Sequence, residues 1–199
     1  MAKNTTQSRG NGRDPRASFA VPGLDVKASG KVAALLQERL VTLIDLALTL
    51  KHIHWNVVGP NFIAVHEMLD PQVAGVQAMV DTTAERIATL GVPPNGLIGY
   101  LDKARTWDDY ALERAMAIEH LGALDLVYVG VIEAQRKTAD AVENLDLVTQ
   151  DMLIGQLGDL EQYHWFVRAH LESDGGKLST TGAHTETEAA RSALKASGR

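Results

Sequence analysis

Residues 51–70 read KHIHWNVVGPNFIAVHEMLD, and the break in their middle decides the fold. Gly59-Pro60 stops one helix, because glycine takes up helix-ending conformations and proline lacks an amide hydrogen. Upstream, Leu36, Leu40, Leu43, Ala47, Leu50, His54 and Val57 make an apolar stripe at helical spacing over about residues 29–57. Downstream, Val65, Met68, Leu69, Val73, Val76 and Val80 carry a second stripe from Asn61 or Phe62 to Leu90, where Gly91 and Pro93-Pro94 end it. So short a connection implies an antiparallel helical hairpin. Pro71 either kinks the second helix or starts a new one with Asp70 as its N-cap. The stripe continues through it, which favours a kinked but continuous helix.

A second hairpin follows. Leu112, Ile118, Leu121, Leu124, Tyr128, Val131 and Ile132 predict a third helix, starting near residues 107–110 and running to about Asn144. Thr106 and Asp109 resemble a capping box at its start. Leu153, Leu157, Leu160, Phe166 and Leu171 predict a fourth helix over about residues 148–172, ended by Gly175-Gly176. Some fifteen residues separate the hairpins, enough to cross a bundle, and residues 96–103 form a candidate short extra helix. Four helices with one long crossover make an all-α, ferritin-like four-helix bundle.

Composition agrees. The 199 residues suffice for one domain; 45% are hydrophobic but only 5% aromatic, which suits helix packing. No apolar run reaches the roughly 20 residues of a membrane span, and the N-terminus lacks a signal core, so a cytoplasmic protein is expected. The absence of cysteine rules out disulfides and thiolate metal sites. Charge divides the chain further. Residues 1–18 carry Lys3, Arg9, Arg13 and Arg16 against one acid, and residues 174–199 carry four basic groups against three acids. Residues 19–173 are left with 11 basic and 21 acidic groups. The expected organisation is a basic flexible N-terminal tail (1–18), a helical domain (19–173) and a flexible C-terminal tail (174–199). Basic ends suit a polyanion partner, or are simply solvated.

His54, His66, Asp70, Asp81 and Glu85 supply two imidazoles and three carboxylates, a donor set for divalent iron or a similar first-row metal. His66/Asp70 and Asp81/Glu85 are each four apart, and all four side chains fall within about 100° of one helix face. The two pairs nevertheless lie about 16 Å apart along the axis, too far for one metal. Two copies of the helix packed antiparallel across a two-fold axis would bring each pair to its complement and make two identical sites. Ala74, Gly75 and Ala78 near the midpoint are small enough for close approach. Each group has a plainer reading: a core histidine for His54, a local hydrogen bond for His66 and Asp70, a solvated face for Asp81 and Glu85. His52, about 200° round the helix from His54, should be a bystander. Glu161 and His164 form a single Glu-x-x-His motif; a two-iron site within one chain needs a second, so they read as a surface pair.

The run quoted above closely resembles the signature of the Dps family, the DNA-binding proteins from starved cells. So do Asp81-x-x-x-Glu85-Arg86, the late stretch from Trp165 to Glu172, and Phe19-x-Val21-Pro22-Gly23-Leu24. The resemblance covers about residues 19–173. It implies a hollow homododecamer that oxidises iron(II), preferably with hydrogen peroxide rather than oxygen, and stores ferric mineral. The ferroxidase site would lie between subunits, with His54, His66 and Asp70 from one and Asp81 and Glu85 from its neighbour. Trp55 is carried over as an interceptor of oxidising radicals; its plain reading is a buried aromatic at a helix end. Iron would enter through acidic pores, for which Asp146 and Asp151 are candidates, with helix-terminal acids as the alternative. DNA binding in such proteins depends on mobile basic tails, here Lys3, Arg9, Arg13 and Arg16, contacting phosphates without reading bases. The alternative function is a DNA-compacting architectural protein with little oxidase activity.

Overall fold

The computed structural model describes Ala17 and residues 19–198; the basic N-terminal positions lie outside the described residues. Helix α1 (Val26–Asn56) starts at Asp25, whose carboxylate accepts from the amides of Lys27 at 2.8 Å and Ala28 at 3.1 Å. A two-residue strand, β1 (Val57–Val58), leads into the Gly59 turn and then α2 (Phe62–Thr89). Gly59 has φ +98°, a left-handed conformation suited to glycine. A Cβ there would also stand 2.6 Å from the Met116 methyl. Helix α2 runs unbroken through Pro71, so Asp70 is a mid-helix residue and not an N-cap.

The crossover contains the expected short helix, α3 (Ile98–Ala104). The next long helix starts later than the hydrophobic pattern suggests: α4 spans Ala117–Val142, preceded by β2 (Ala115–Met116), which pairs parallel with β1. The Thr106/Asp109 capping box does not form. Arg105 instead bonds Asp45 at 3.0 Å and Asp109 at 2.5 Å, and the Trp107 indole donates to the other Asp45 oxygen at 2.8 Å. These bonds tie the crossover to α1, and Glu119 caps the helix that follows by accepting from the Met116 amide at 3.0 Å.

Helix α5 (Leu147–Ala169) pairs with α4, and α1 with α2. The interior holds two apolar clusters. One gathers Leu50, Leu69, Leu124, Tyr128 and Leu160, the other Leu36, Leu40, Ile87, Val142 and Leu153. Tyr128 is fully buried and donates its hydroxyl to Gln72 at 2.7 Å, as a buried phenol requires. Among the described residues no helix is long and apolar enough to cross a membrane.

The C-terminal segment departs from the expected flexible tail. It turns back after α5 and forms α6 (Glu186–Ala196), which buries Ala189, Ala190 and Ala193 against α4. Thr185 and Glu188 cap it reciprocally. Gly122 of α4 makes room, since a Cβ there would meet the Ala189 carbonyl oxygen at 2.6 Å. An alanine face on a helix of low overall hydropathy gives a weak sequence signal, yet close packing needs only small side chains.

Candidate metal centre

His54 stands at the end of α1 and His66 at the start of α2, so the Gly59-Pro60 turn brings them together. Their rings stack at 3.6 Å between centroids. His54 Nδ1 lies 3.0 Å from the His66 carbonyl oxygen, and His66 Nδ1 lies 2.9 Å from that of His54. A carbonyl can only accept, so Nδ1 carries a hydrogen in both rings, and in the neutral imidazole each Nε2 presents the lone pair. This is the arrangement by which backbone groups orient metal-binding imidazoles. No hydrogen bond engages either Nε2 among the described residues. His54 is buried, while Phe62 packs 5.0 Å from His66.

Asp70 lies beside the histidine pair. Its Oδ1 lies 3.4 Å from His54 Nδ1 and 2.7 Å from the Lys51 ammonium. The Lys51 hydrogen bond is the main reason its carboxyl is held below the usual range. Sequence reasoning missed Lys51, although its spacing of three from His54 puts both on one side of α1. Asp81 and Glu85 are exposed further along α2, and neither carboxylate has a partner among the described residues. Nor do any three His, Asp or Glu side chains of one chain converge into a metal-sized cluster among those residues. One subunit thus presents two separated sets of donors.

Other expected features are redistributed. Trp55, next to the cluster, is 72% exposed in the subunit and not buried. Gly75 is filled from within: a Cβ there would overlap the Tyr163 hydroxyl, so its smallness serves the chain's own α5. Ala74 and Ala78 are exposed. Asp146 is no free pore acid. It caps α5, its Oδ2 accepting from Arg86 at 2.6 Å and from the Thr149 hydroxyl at 2.5 Å. Asp151 is exposed. His52 faces away, with Nε2 on the Leu112 carbonyl at 2.8 Å. Glu161 and His164 do not act as a pair: Glu161 bonds Arg136, while His164 turns inward to Asp125 at 2.7 Å.

Comparison with known proteins agrees with the fold. A model of the ferritin-like domain matches residues 33–174. The DNA protection during starvation protein of Mycolicibacterium smegmatis is 58% identical over 180 residues, 90% of this chain and 98% of that one. The chain belongs to the Dps family. Among solved structures, Mycobacterium smegmatis Dps superposes with a TM-score of 0.83 at 59% identity, covering 84% of this chain and 95% of that one. DpsA14 from Streptomyces coelicolor gives 0.82 at 56% identity, covering 83% and 99%. Membership makes iron the metal to consider at the Dps-type donor set. That set is chemically apt, since neutral imidazole suits the ferrous ion and carboxylate the harder ferric product.

Proposed function

We propose that this chain is the subunit of a Dps-type miniferritin, a ferroxidase and iron store that consumes iron(II) and peroxide together under oxidative stress. The observation that carries the reading is the pair of stacked imidazoles, each locked by the other's carbonyl with its Nε2 lone pair unengaged. His54, His66 and Asp70 bind ferrous iron from one subunit, and Asp81 and Glu85 of the neighbour close the site. What supports a shared site is the separation of the two donor sets on α2. Trp55, Phe62 and Ile63, all exposed beside the histidines, supply an apolar surface for the neighbour to cover.

Iron is the substrate here. Peroxide accepts one electron from each of two ferrous ions and, with two protons, leaves as water. Few strong donors per ion keep positions open for the oxidant, and Trp55 intercepts radicals that escape. Ferric product collects as mineral inside a hollow homododecamer, entering as iron(II) through acidic pores for which Asp151 remains a candidate. The basic residues Lys3, Arg9, Arg13 and Arg16 hold DNA without sequence preference, multiplied across the assembly by avidity. That combination fits a cytoplasmic, nucleoid-associated protein.

A mixing experiment tests the shared site. Subunits carrying His54→Ala and His66→Ala are co-assembled with subunits carrying Asp81→Asn and Glu85→Gln, each inactive alone. Mixed two-fold pairs regain one intact site of two, so stopped-flow iron oxidation should recover to roughly a quarter of the wild-type rate. No recovery in verified mixed assemblies would refute sharing. If wild-type protein oxidises iron no faster than buffer, the DNA-compacting reading replaces the enzyme.

A further inference from the structure

Arg39 lies on α1 where that helix faces α4. The residue is 8% exposed, and its Nε and Nη1 are shielded from water with no acceptor among the described residues. Its neighbour Glu38 points to solvent. A buried guanidinium without a hydrogen-bonded counter-ion is unfavourable; burial pushes its pKa below the usual value, and the charge of the solvent-exposed Glu38 offsets this only in part. Chains retain such a group when something else completes it.

The Arg39 side chain, whose Nη2 is the one guanidinium nitrogen not shielded from water, helps line a cavity of about 360 Å³ between α1 and α4, with Thr106 and Trp107 also in its wall. The volume falls in the range of small-molecule sites. Apart from Arg39, Asp45 and three threonines (Thr42, Thr49 and Thr106) the wall is apolar, with Leu46, Val127 and Val131 among its residues. Its one acid, Asp45, is committed to Arg105 at 3.0 Å and to the Trp107 indole at 2.8 Å, and so does not neutralise Arg39.

We propose that this cavity binds a small amphiphilic carboxylate, with its head on Arg39 and its apolar body against Leu46, Val127 and Val131. One guanidinium offers one charge, which a carboxylate matches through charge-assisted hydrogen bonds. A phosphate dianion would bring a second charge into an apolar wall already holding Asp45. The site is remote in function from the iron donors and stands or falls independently of them.

Isothermal titration of the assembled full-length protein with octanoate tests this, with octanol as the headless control. Octanoate should bind once per chain, octanol far more weakly. Arg39→Gln should weaken octanoate about 10- to 100-fold, the worth of a charged hydrogen bond. Ala134→Leu, which fills the cavity but keeps the guanidinium, should block it. Arg39→Met should raise the Tm of the ligand-free assembly by removing an uncompensated charge. Absence of octanoate binding, or equal binding to Arg39→Gln, overturns the proposal. So does a lowered Tm or lost assembly in Arg39→Met, which would mean that an acidic side chain of a second copy already neutralises Arg39.

Discussion

Two histidine–carboxylate pairs in this chain use the same chemical groups to opposite ends. His164 Nε2 lies 2.7 Å from Asp125 Oδ1, and the other carboxylate oxygen accepts from the Thr180 hydroxyl at 2.6 Å. Asp125 is 4% exposed, and both its oxygens are used. His54 and Asp70 meet more loosely at 3.4 Å, with Asp70 exposed and the imidazole Nε2 free among the described residues. A closed, satisfied pair fastens one piece of chain to another; here it fastens the C-terminal segment, through Thr180, to α4 and α5. An open pair with unused lone pairs is prepared for something that is not yet there.

The comparison breaks most visibly by removing histidines. His54→Ala with His66→Ala should reduce ferrous oxidation to the buffer rate while the assembly still elutes intact by size-exclusion chromatography. His164→Ala should leave that rate within about twofold, because the residue is remote from the donor set. Removing the buried acid tests the other half. Asp125→Ala leaves His164 and Thr180 without their partner, a loss on the order of 3 kcal/mol. For a chain of this length that lowers Tm by roughly 6–12 °C. Limited proteolysis should then cut within residues 174–198 first. Unchanged Tm and protection would mean that α6 docking, not the pair, holds the segment.

Acid should release the same fastening. Burial alone would raise the Asp125 pKa, but the His164 and Thr180 hydrogen bonds, with Arg168 nearby, bring it below the usual carboxylate value. A depressed folded pKa stabilises the native state above the ordinary carboxylate range, and the contribution fades as pH falls through the lowered value. Asp146, bonded to Thr149 and Arg86, behaves in the same sense. Glu186 opposes them: burial pushes its pKa up, so its docking strengthens on acidification. As pH falls, protection of α6 from hydrogen exchange should therefore hold while Glu186 protonates and be lost only below the ordinary carboxylate range, and Asp125→Asn should flatten that loss.

Why one pair was legible in the sequence and the other was not follows from the same contrast. His54, His66, Asp70, Asp81 and Glu85 sit on two consecutive helices at fixed helical spacings, so periodicity alone places them on common faces. The four long helices were legible for the same reason. Asp125, His164 and Thr180 are separated by up to 55 residues, and only tertiary folding brings them together. The start of α4 was misplaced because Arg105 and Trp107 anchor the crossover to Asp45, about 60 residues away, a contact no local pattern encodes. For Asp146 the helix-terminal alternative is the one the structure shows, while its Arg86 partner, 60 residues back, is a contact no local pattern encodes.

The smallest effect sharpens the open pair itself. The Lys51 ammonium, 2.7 Å from Asp70 Oδ1, occupies the carboxylate that an incoming cation would use. It keeps Asp70 ionised and compensated until metal arrives, and metal binding must displace it. Exposed ion pairs are weak, so Lys51→Gln should tighten metal binding only about two- to fivefold. Cobalt(II) titration of the assembled protein reads this without iron's redox chemistry. Weaker binding instead would give Lys51 a different part: holding the Asp70 carboxylate in position for the metal, so that the pair is less open than its geometry implies.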